Sequence, residues 1–307
     1  MTEVPVGLAD AGRILLGHKE VGVRACVVGS TNVDLVLAVP VLPQPGETLL
    51  AADSRREAGG KGANQATALA RLGGDVRFVS AVGEDEPGQW SLEQLAAEGI
   101  SLTDVAALPG IPTGLAVVVV DGSGENLIVV APGANSHVVA PSSYDGLDVV
   151  LLSLEIPLET VTAAAAGAHA AGVPVILNAA PARQLPSSLL RSLDVLVLNE
   201  HELAFLGRDA DALRAAGPEA VVVTRGAAGC LVVDGSGART FPATRSDVVD
   251  TTGAGDCFAA ALACGVGNRW SIDRGVQLAI TAAGLSIGAR GARDALPRWE
   301  QLAPELQ

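Results

Sequence analysis

The sequence predicts an α/β fold built on a mostly parallel sheet, with a small second β-sheet. Short apolar runs rich in β-branched residues recur along the chain, and segments of helical length rich in Ala and Leu lie between most of them. Strands buried on both faces that alternate with helices are typical of a parallel sheet. Two further regions break this alternation, because they contain short strands without helices between them.

The alternation fixes where the elements and the site should lie. The predicted strands span residues 25–28, 76–82, 149–152, 173–177, 195–198 and 221–224, and predicted helices include 63–72, 92–97 and 158–171. Parallel strands place their carboxyl ends at one edge of the sheet, where ligands of such folds bind. We therefore expect polar residues that follow these strands to form the site.

The two regions without helices are residues 35–57 and 113–130, with turns predicted at 43–46 and 121–126. They can form a small antiparallel sheet that projects from the main domain, which we call the lid. A lid suits an enzyme that must exclude water from its reaction. The alternative, that both hairpins lie flat on the main sheet, stays open.

Composition restricts the class of protein. The chain has 307 residues, of which 49% are hydrophobic and only 3% aromatic, so Ala, Val and Leu must form the core of one large domain with an appendage, or of two domains. The formal net charge of −14 argues against binding to a nucleic-acid backbone. An anionic substrate must therefore be held by local dipoles and a few cations.

Nothing in the chain suggests a secreted or membrane protein. The four cysteines, Cys26, Cys230, Cys257 and Cys264, have no metal-like spacing, and we interpret them as reduced core residues. The first residues lack a secretory signal pattern, so we expect a cytoplasmic location. Residues 160–177 carry no Asp, Glu, Lys or Arg, but Gly172 and Pro174 interrupt the run, which favours a buried helix followed by a strand.

The most informative motif is Asp-Thr-Thr-Gly-Ala-Gly-Asp at 250–256, directly before an apolar helical segment. Its glycines allow a ligand to approach the backbone, and the free N–H groups of a helix's first turn favour phosphate. Asp256 would then lie where a hydroxyl nucleophile meets that phosphate. The alternative is that Asp256 only caps the helix.

Other polar residues are candidates by position. Asn32 and Asp34 are separated by one residue as a strand begins, so both side chains point to the same side, where they can hold vicinal hydroxyls. A Gly-Gly-Lys-Gly-Ala-Asn-Gln element at 59–65 allows close ligand approach, and Asn64 lies in the first turn of the next helix. The alternative for Asn32 and Asp34 is a turn residue and a strand-end Asp.

Three more candidates follow predicted strands. Glu155 follows one strand, and Asn199 with Glu202 follows another, although Asn199 can also serve as a helix cap. The glycine turn at 224–229 can lie against a nucleotide, although hairpins use the same residue types.

With these motifs together, the chain resembles the ribokinase-like (PfkB) carbohydrate kinase family from about Arg24 to the C-terminus. The glycine elements at 59–65 and 250–256 and the Val-Gly-Glu-Asp run at 82–85 carry the resemblance. It implies a three-layer α/β/α domain over 24–307 with the β lid, preceded by an extension at 1–23 that has no counterpart. Narrower motifs at 32–34, 45–48, 133–135, 154–155 and 180–183 point to members that phosphorylate D-ribose.

The resemblance also implies roles for residues. Asp256 would be the catalytic base, and the amides of Gly253, Ala254 and Gly255 would form the anion hole. The sugar contacts would be Asn32, Asp34, Gly60, Lys61, Asn64 and Glu155. Contacts to ATP would come from Asn199, Thr224, Arg225, Gly226, Ala227, Ala228, Gly229 and Gly255, with Glu202 helping indirectly to organise Mg²⁺.

Family members further resemble one another in a site for K⁺ beside the anion hole. Its counterparts here are Asp250, Thr252, Ser286, Ala289, Gly291 and Ala295. Ala295 stands where a serine hydroxyl is expected, and Arg293 with Asp294 replaces a more neutral turn. Ile280 stands where a histidine often lies against the adenine, which an apolar contact can replace.

The predicted activity is therefore ATP-dependent phosphorylation of the 5-hydroxyl of D-ribose. The same chemistry on another pentose, a fructose derivative or a nucleoside is the nearest alternative, and a sugar or nucleotide sensor without catalysis is a second. The resemblance implies a homodimer joined through the lid. The net charge and the lack of a membrane span predict no nucleic-acid or membrane partner.

Overall fold

The computed structural model describes residues 22–244 and 246–302. Most of the predicted extension at 1–23 therefore lies outside the described residues. The strands are β1 Arg24–Val28, β2 Asn32–Ala38, β3 Asp53–Gly59, β4 Asp75–Gly83, β5 Ser101–Leu108, β6 Gly114–Val120, β7 Asn126–Ala131, β8 Val149–Ser153, β9 Val175–Asn178, β10 Val195–Asn199, β11 Ala220–Thr224, β12 Cys230–Asp234 and β13 Gly237–Phe241. The helices are α1 Lys61–Arg71, α2 Glu86–Ala97, α3 Leu158–Ala170, α4 Ser187–Leu190, α5 Glu200–Leu206, α6 Ala210–Ala215, α7 Ala254–Gly267, α8 Ile272–Ser286 and α9 Trp299–Leu302.

The main sheet has nine strands in the order β13-β12-β11-β10-β9-β8-β1-β4-β5. The strands from β11 to β5 in that order pair in parallel, and β12 and β13 extend the sheet by antiparallel pairing. The carboxyl ends of β1, β8, β9, β10 and β11 therefore meet at one edge, as predicted. The described residues include no helix long and apolar enough to cross a membrane.

Helices cover both faces of this sheet. Along β1, Ala25 and Val27 pack with residues of α1, α7 and α8, whereas Cys26 and Val28 pack on the opposite face with residues of α3 and α4. This alternation follows from the two-residue period of a strand. It makes three layers with an apolar core on each side of the sheet.

The lid is a separate four-stranded sheet in the order β3-β2-β6-β7. Strand β2 pairs antiparallel with β3 and parallel with β6, and β6 pairs antiparallel with β7. The alternative of hairpins flat on the main sheet is therefore wrong. The parallel β2–β6 pair also departs from the fully antiparallel sheet that the sequence predicted, because the long excursion through β4 and β5 returns β6 in the direction of β2.

Other boundaries differ from the prediction for local reasons. Strand β9 begins at Val175 rather than at Val173, because Pro174 has no N–H to donate to a ladder. Strands β5, β12 and β13 were not predicted. β5 pairs with only one neighbour, at the edge of the sheet, and is largely exposed, so it lacks the continuous apolar run of a buried strand.

Candidate active site

A cleft of about 740 Å³ lies between the carboxyl edge of the main sheet and one face of the lid. Its walls include most of the predicted sugar and phosphate contacts: Asn32, Asp34, Gly60, Lys61, Asn64, Glu155, Asp250, Thr252, Gly253 and Asp256. Most of the predicted nucleotide contacts lie elsewhere along the same sheet edge, as described below, whereas Gly255 is in α7 and Ile280 is in α8.

The floor of the cleft is made where α1 meets the turn between β1 and β2. Gly60 has a φ of 89°, and a Cβ there would lie 2.7 Å from the backbone nitrogen of Asn32. A Cβ on Gly62 would lie 2.5 Å from the carbonyl carbon of Gly29. Both glycines are therefore required for this contact between backbones, which brings the start of α1 beside the start of the lid.

Glu155 lies at the N-terminus of α1. Its Oε2 accepts hydrogen bonds from the Lys61 backbone N–H at 3.0 Å and from the Ser30 hydroxyl at 2.5 Å. A carboxylate is favoured there because the helix dipole is positive at its N-terminus and the first N–H groups have no partner within the helix. Glu155 thus helps to fix α1 relative to the β1–β2 turn.

Asp256 is buried and is surrounded by amide groups from other elements. Its Oδ2 accepts from Asn64 Nδ2 at 3.1 Å, and its Oδ1 accepts from Gln65 Nε2 at 3.0 Å and from Asn178 Nδ2 at 3.3 Å. Helix α7 has no side-chain cap at its N-terminus. The carboxylate therefore bonds across the cleft rather than to its own helix, and the capping alternative does not describe it.

The charge of Asp256 is balanced by Lys61. Burial raises the pKa of Asp256, whereas the ammonium of Lys61 and the hydrogen bonds from Asn64 and Gln65 oppose that shift. The same carboxylate raises the pKa of Lys61, against the effect of burial. A buried acid with a raised pKa is better matched to accept a proton at neutral pH than an exposed one.

Asn32 and Asp34 both face the cleft, as the strand period predicted. Asn32 Oδ1 accepts from Asn135 Nδ2 at 2.7 Å, and this bond directs the Asn32 amide nitrogen away from Asn135. The Asp34 carboxylate lies against Gly59, where a Cβ would come within 2.1 Å of Oδ1. Burial and the neighbouring Glu155 raise the pKa of Asp34 to about 7.

The N-terminus of α7 forms the phosphate-sized end of the cleft. The helix is preceded by Gly253, whose φ of 78° no side chain readily adopts and whose Cβ would lie 2.8 Å from the carbonyl oxygen of Ala292. Gly255 has no atom within 4 Å of the position of a Cβ. Ala254 donates its N–H to the Thr251 carbonyl at 3.2 Å, and the N-terminus of α7 lies beside Asp256, an arrangement suited to an anion.

Asp250 ties two loops together below this cradle. Its Oδ1 accepts from the N–H and hydroxyl of Thr252 at 2.9 Å and 2.6 Å, and its Oδ2 accepts from the Gly291 N–H at 3.0 Å. Burial raises the pKa of Asp250, but these hydrogen bonds outweigh that effect and lower it. Of the other predicted K⁺ positions, Ser286 donates to the Ala283 carbonyl, and Ala289 is exposed.

Ala295 donates its N–H to the Gly291 carbonyl at 3.4 Å and has no side-chain oxygen to offer. Within residues 22–244 and 246–302, no group of three or more His, Cys, Asp or Glu side chains could hold a metal ion.

The predicted nucleotide contacts lie together at the ends of β10 and β11. Asn199 is paired with Thr224 in the sheet register. Asn199 Oδ1 accepts from the Glu202 N–H at 2.8 Å, and Glu202 Oε2 accepts from the Asn199 N–H at 2.7 Å, so the two form a capping box on α5. The role of Asn199 as a helix cap, which the sequence left as an alternative, is therefore present. Burial raises the pKa of Glu202.

The predicted glycine turn at 224–229 joins β11 to the antiparallel β12, so it is also a hairpin connection. Gly226–Ala228 form one turn of 3₁₀ helix, and Arg225 donates its N–H to the Gly229 carbonyl at 2.8 Å. Ile280 of α8 is half-buried and packs against the apolar core. These residues lie outside the walls of the cleft that contains Asp256.

Besides Arg293, which donates to Asn64, four residues that hydrogen-bond to predicted site residues were not predicted to act there. Asn178 is the last residue of β9, so the rule that selected Glu155 applies to it as well. Gln65 and Asn135 belong to motifs that carried the family resemblance, and Ser30 lies in the β1–β2 turn. The partners of these side chains are distant in sequence, and only the fold brings them together.

Taken together, the cleft offers amide and carboxylate groups for a polyhydroxylated ligand, a buried carboxylate at its centre and a helix N-terminus for an anion. Transfer of a phosphoryl group to a hydroxyl needs these three features, because it depends on alignment and charge stabilisation more than on covalent chemistry.

Comparison with known proteins agrees with this geometry. A model described as pfkB family carbohydrate kinase matches residues 24–299. The chain is 38% identical over 298 residues to a ribokinase of Haemophilus influenzae, covering 92% of this chain and 97% of that protein. It is 36% identical over 280 residues to a ribokinase of Bacillus subtilis, covering 89% and 95%. A ribokinase of Arabidopsis thaliana, solved with ribose and ATP, superposes with a TM-score of 0.84 at 32% identity, covering 93% and 99%.

The electrostatics of the cleft give one direct prediction. In the ligand-free protein, we expect the Asp34 carboxyl to titrate at about pH 7, against ~3.9 for an ordinary Asp. Because the folded chain holds this proton more tightly, the stability that the group contributes is fully present below pH ~4 and is lost as the pH rises to ~7. Carboxyl ¹³C NMR measures the midpoint, with Asp34→Asn assigning the resonance, and a midpoint below ~5 would contradict the prediction.

Proposed function

Since this chain belongs to the pfkB family of carbohydrate kinases, we propose that it transfers the γ-phosphoryl group of ATP to the 5-hydroxyl of D-ribose. The observation that carries this proposal is the buried Asp256 carboxylate between a hydroxyl-binding wall and the N-terminus of α7. The relatives described as ribokinases cover nearly the whole chain, which supports ribose as the substrate.

The sugar binds between the lid and the start of α1. Asp34 and Glu155 accept hydrogen bonds from sugar hydroxyls, while the amide nitrogens of Asn32 and Asn64 donate to them. Vicinal hydroxyls suit this wall, since Asn32 and Asp34 project from the same face of β2. The interactions orient the 5-hydroxyl towards Asp256, and correct alignment supplies a large part of the rate of such a transfer.

Asp256 accepts the proton of the 5-hydroxyl as the oxygen attacks the γ-phosphorus, while the bond from that phosphorus to the bridging oxygen breaks and ADP leaves. The negative charge on the transferring group is stabilised by the backbone amides of Gly253, Ala254 and Gly255 at the N-terminus of α7 and by the ammonium of Lys61. Mg²⁺ bound with ATP neutralises charge on the phosphates. Glu202, which is 7% exposed and engaged in its capping box, contributes to Mg²⁺ binding only indirectly.

ATP binds along the sheet edge that carries Asn199 and the turn at 224–229, with Ile280 against the adenine. The pairing of Asn199 with Thr224 supports this placement, because it puts both predicted contacts at one point of the edge. The apolar side chain of Ile280 fits a flat aromatic base.

We further propose a K⁺ site at the loops that Asp250 joins. The donors available are oxygens, from the Asp250 carboxylate and from backbone carbonyls near Ser286, Ala289 and Gly291, and oxygen donors suit a hard cation. Because Ala295 stands where a serine is expected, this set of oxygen donors lacks one hydroxyl. The cation would help to hold the anion cradle in place, so its effect should appear as an increase in rate.

A homodimer through the lid is supported by the outer face of that sheet. Residues Leu127 and Val129 are 48% and 70% exposed, and they alternate along β7 with Ile128 and Val130, which line the cleft. Strand β7 is also the edge strand of its sheet. An exposed apolar edge strand is a typical site of association between chains.

The four free, buried cysteines fit the reducing cytoplasm.

The first test is a measurement of ADP release from ATP and Mg²⁺ with D-ribose, other pentoses including 2-deoxyribose, fructose and nucleosides, each with and without K⁺. We expect kcat/KM to be highest for D-ribose, and the rate to rise with K⁺. A higher kcat/KM for another substrate would move the assignment to that substrate. Absence of turnover with every substrate would favour the sensor alternative.

Asp256→Asn tests the proton acceptor. We expect kcat to fall by about 10²–10⁴-fold, which is the range that general base catalysis contributes. Binding of D-ribose, followed by calorimetry, should stay within about threefold, because the amide keeps the shape of the side chain. Asp211→Asn, at an exposed position of α6, is the matched control. A kcat near that of the wild type would contradict the assignment of Asp256.

Val129→Asp tests the lid interface. We expect light scattering to give the mass of a dimer for the wild type and of a monomer for this variant, because a charge cannot be buried unpaired in an apolar contact. Val139→Asp is the control, since Val139 is 75% exposed outside the lid. A monomeric wild type, or a Val129→Asp variant that remains dimeric, would contradict the proposal.

A further inference from the structure

Arg293 is a buried arginine whose side chain lies behind the wall of the cleft that contains Asn64. It lies in the loop between α8 and α9 and is 6% exposed. Its Nε donates to Asn64 Oδ1 at 3.0 Å, and its Nη2 donates to the carbonyl oxygen of Gly59. Burial of a cation is costly unless it is paired, and here burial lowers the pKa of Arg293 to about 10 although Asp34 and Asp256 oppose that shift.

The bond from Arg293 decides which way the Asn64 amide points. An amide can present either its oxygen or its nitrogen to a neighbour, and its hydrogen-bond partners fix the choice. A guanidinium only donates, so Asn64 Oδ1 faces Arg293, and Asn64 Nδ2 is then directed at Asp256 Oδ2 at 3.1 Å. An ionised Asp256 only accepts hydrogen bonds. The two bonds therefore run in the same direction, from Arg293 to Asn64 and from Asn64 to Asp256.

Arg293 also lies beside Asp34 through their common neighbour Gly59. The Gly59 carbonyl accepts from Arg293, while the Asp34 carboxylate lies against the Gly59 Cα. Among the described residues, Arg293 Nη1 and Asp34 Oδ1 are buried atoms without a hydrogen-bond partner. One is a donor and the other an acceptor, so the two side chains have complementary hydrogen-bonding groups on either side of Gly59.

The backbone of this loop is held without the Arg293 side chain. Arg71 Nη1 donates to the carbonyl oxygens of Arg293 and Leu296 at 2.7 Å and 3.0 Å, and Arg71 pairs with Glu98 at 2.6 Å. A substitution of the Arg293 side chain therefore leaves these loop contacts in place. Its effect on the site can be measured separately from the folding of the loop.

We propose that Arg293 is a positioning residue for this reaction, which orients the amide of Asn64 towards Asp256 and supplies the positive charge beside Asp34 behind the sugar wall of the cleft. The inference rests on the proposed sugar kinase function. It connects the loop between α8 and α9 to the wall of the cleft that contains Asp34 and Asn64.

The proposal has a consequence for the pH profile. The charged groups that act on Asp34 are Glu155 and Glu57, which raise its pKa with burial, and Arg293 and Lys61, which lower it. Removal of the Arg293 charge should therefore raise the pKa of Asp34. The acidic limb of kcat/KM for D-ribose should move to higher pH with it, because the ionised carboxylate is the form that accepts from the sugar.

The experiment compares Arg293→Met, which keeps volume but removes all donors, with Arg293→Lys, which keeps a charge but not the fixed geometry of the guanidinium. For Arg293→Met we expect KM for D-ribose to rise ~10-fold and kcat to fall ~10-fold, as for the loss of hydrogen bonds to charged or catalytic groups, with KM for ATP within twofold. Arg293→Lys should recover part of both losses. Arg298→Met, whose arginine is exposed in the same segment, is the control.

Each outcome decides the proposal. The expected changes in KM and kcat, with an acidic limb shifted to higher pH and a Tm close to that of Arg298→Met, support it. An active Arg293→Met with the constants and pH profile of Arg298→Met overturns it. If the wild type does not phosphorylate D-ribose, the proposed function fails, but carboxyl NMR still tests the inference: an unchanged Asp34 midpoint in ligand-free Arg293→Met overturns it, and a raised midpoint supports the contact with Asp34. If Arg293→Met does not fold, Arg293→Lys provides the same measurements.

Discussion

The buried carboxylate of Asp256 is the group on which the arrangement of the site depends. A lone carboxylate in that position would be too costly to keep ionised, and three amide side chains together with the Lys61 ammonium supply the compensation. These partners come from α1 and β9, while Asp256 itself is on α7. The requirement for compensation therefore holds α1, the main sheet and α7 in a single geometry.

The same requirement explains how a chain with a net charge of −14 can bind an anionic cosubstrate. The cations at the cleft are few, but Lys61 and Arg293 both lie close to carboxylates that they help to keep ionised. The amides at the start of α7 add positive potential without adding net charge. Local placement of dipoles and of a few cations thus replaces a basic surface.

How much of this was visible in the sequence depends on the range of the interactions. The period of β2 predicted correctly that Asn32 and Asp34 share a side, because that property is local. The alternation of apolar runs and helices predicted the main sheet and its carboxyl edge for the same reason. The bond between Asn64 and Asp256 joins residues 192 positions apart, and that between Arg293 and Asn64 spans 229. No local pattern encodes such contacts, and only the family motifs pointed to some of their members.

Residues 29–31, which join β1 of the main sheet to β2 of the lid, affect how the lid can move. Strand β2 follows β1 after three residues, and β3 runs into α1 through Gly60 alone, so these two connections at the base of the lid are short. A strand of seven residues extends about 23 Å, at ~3.3 Å per residue. The lid is therefore a cantilever whose fixed end contains Asn32 and Gly59. Because the free end lies about 23 Å from the fixed end, any rotation of the sheet at the paired residues Asn32 and Gly59 would be amplified in proportion to that length at the outer edge of the lid.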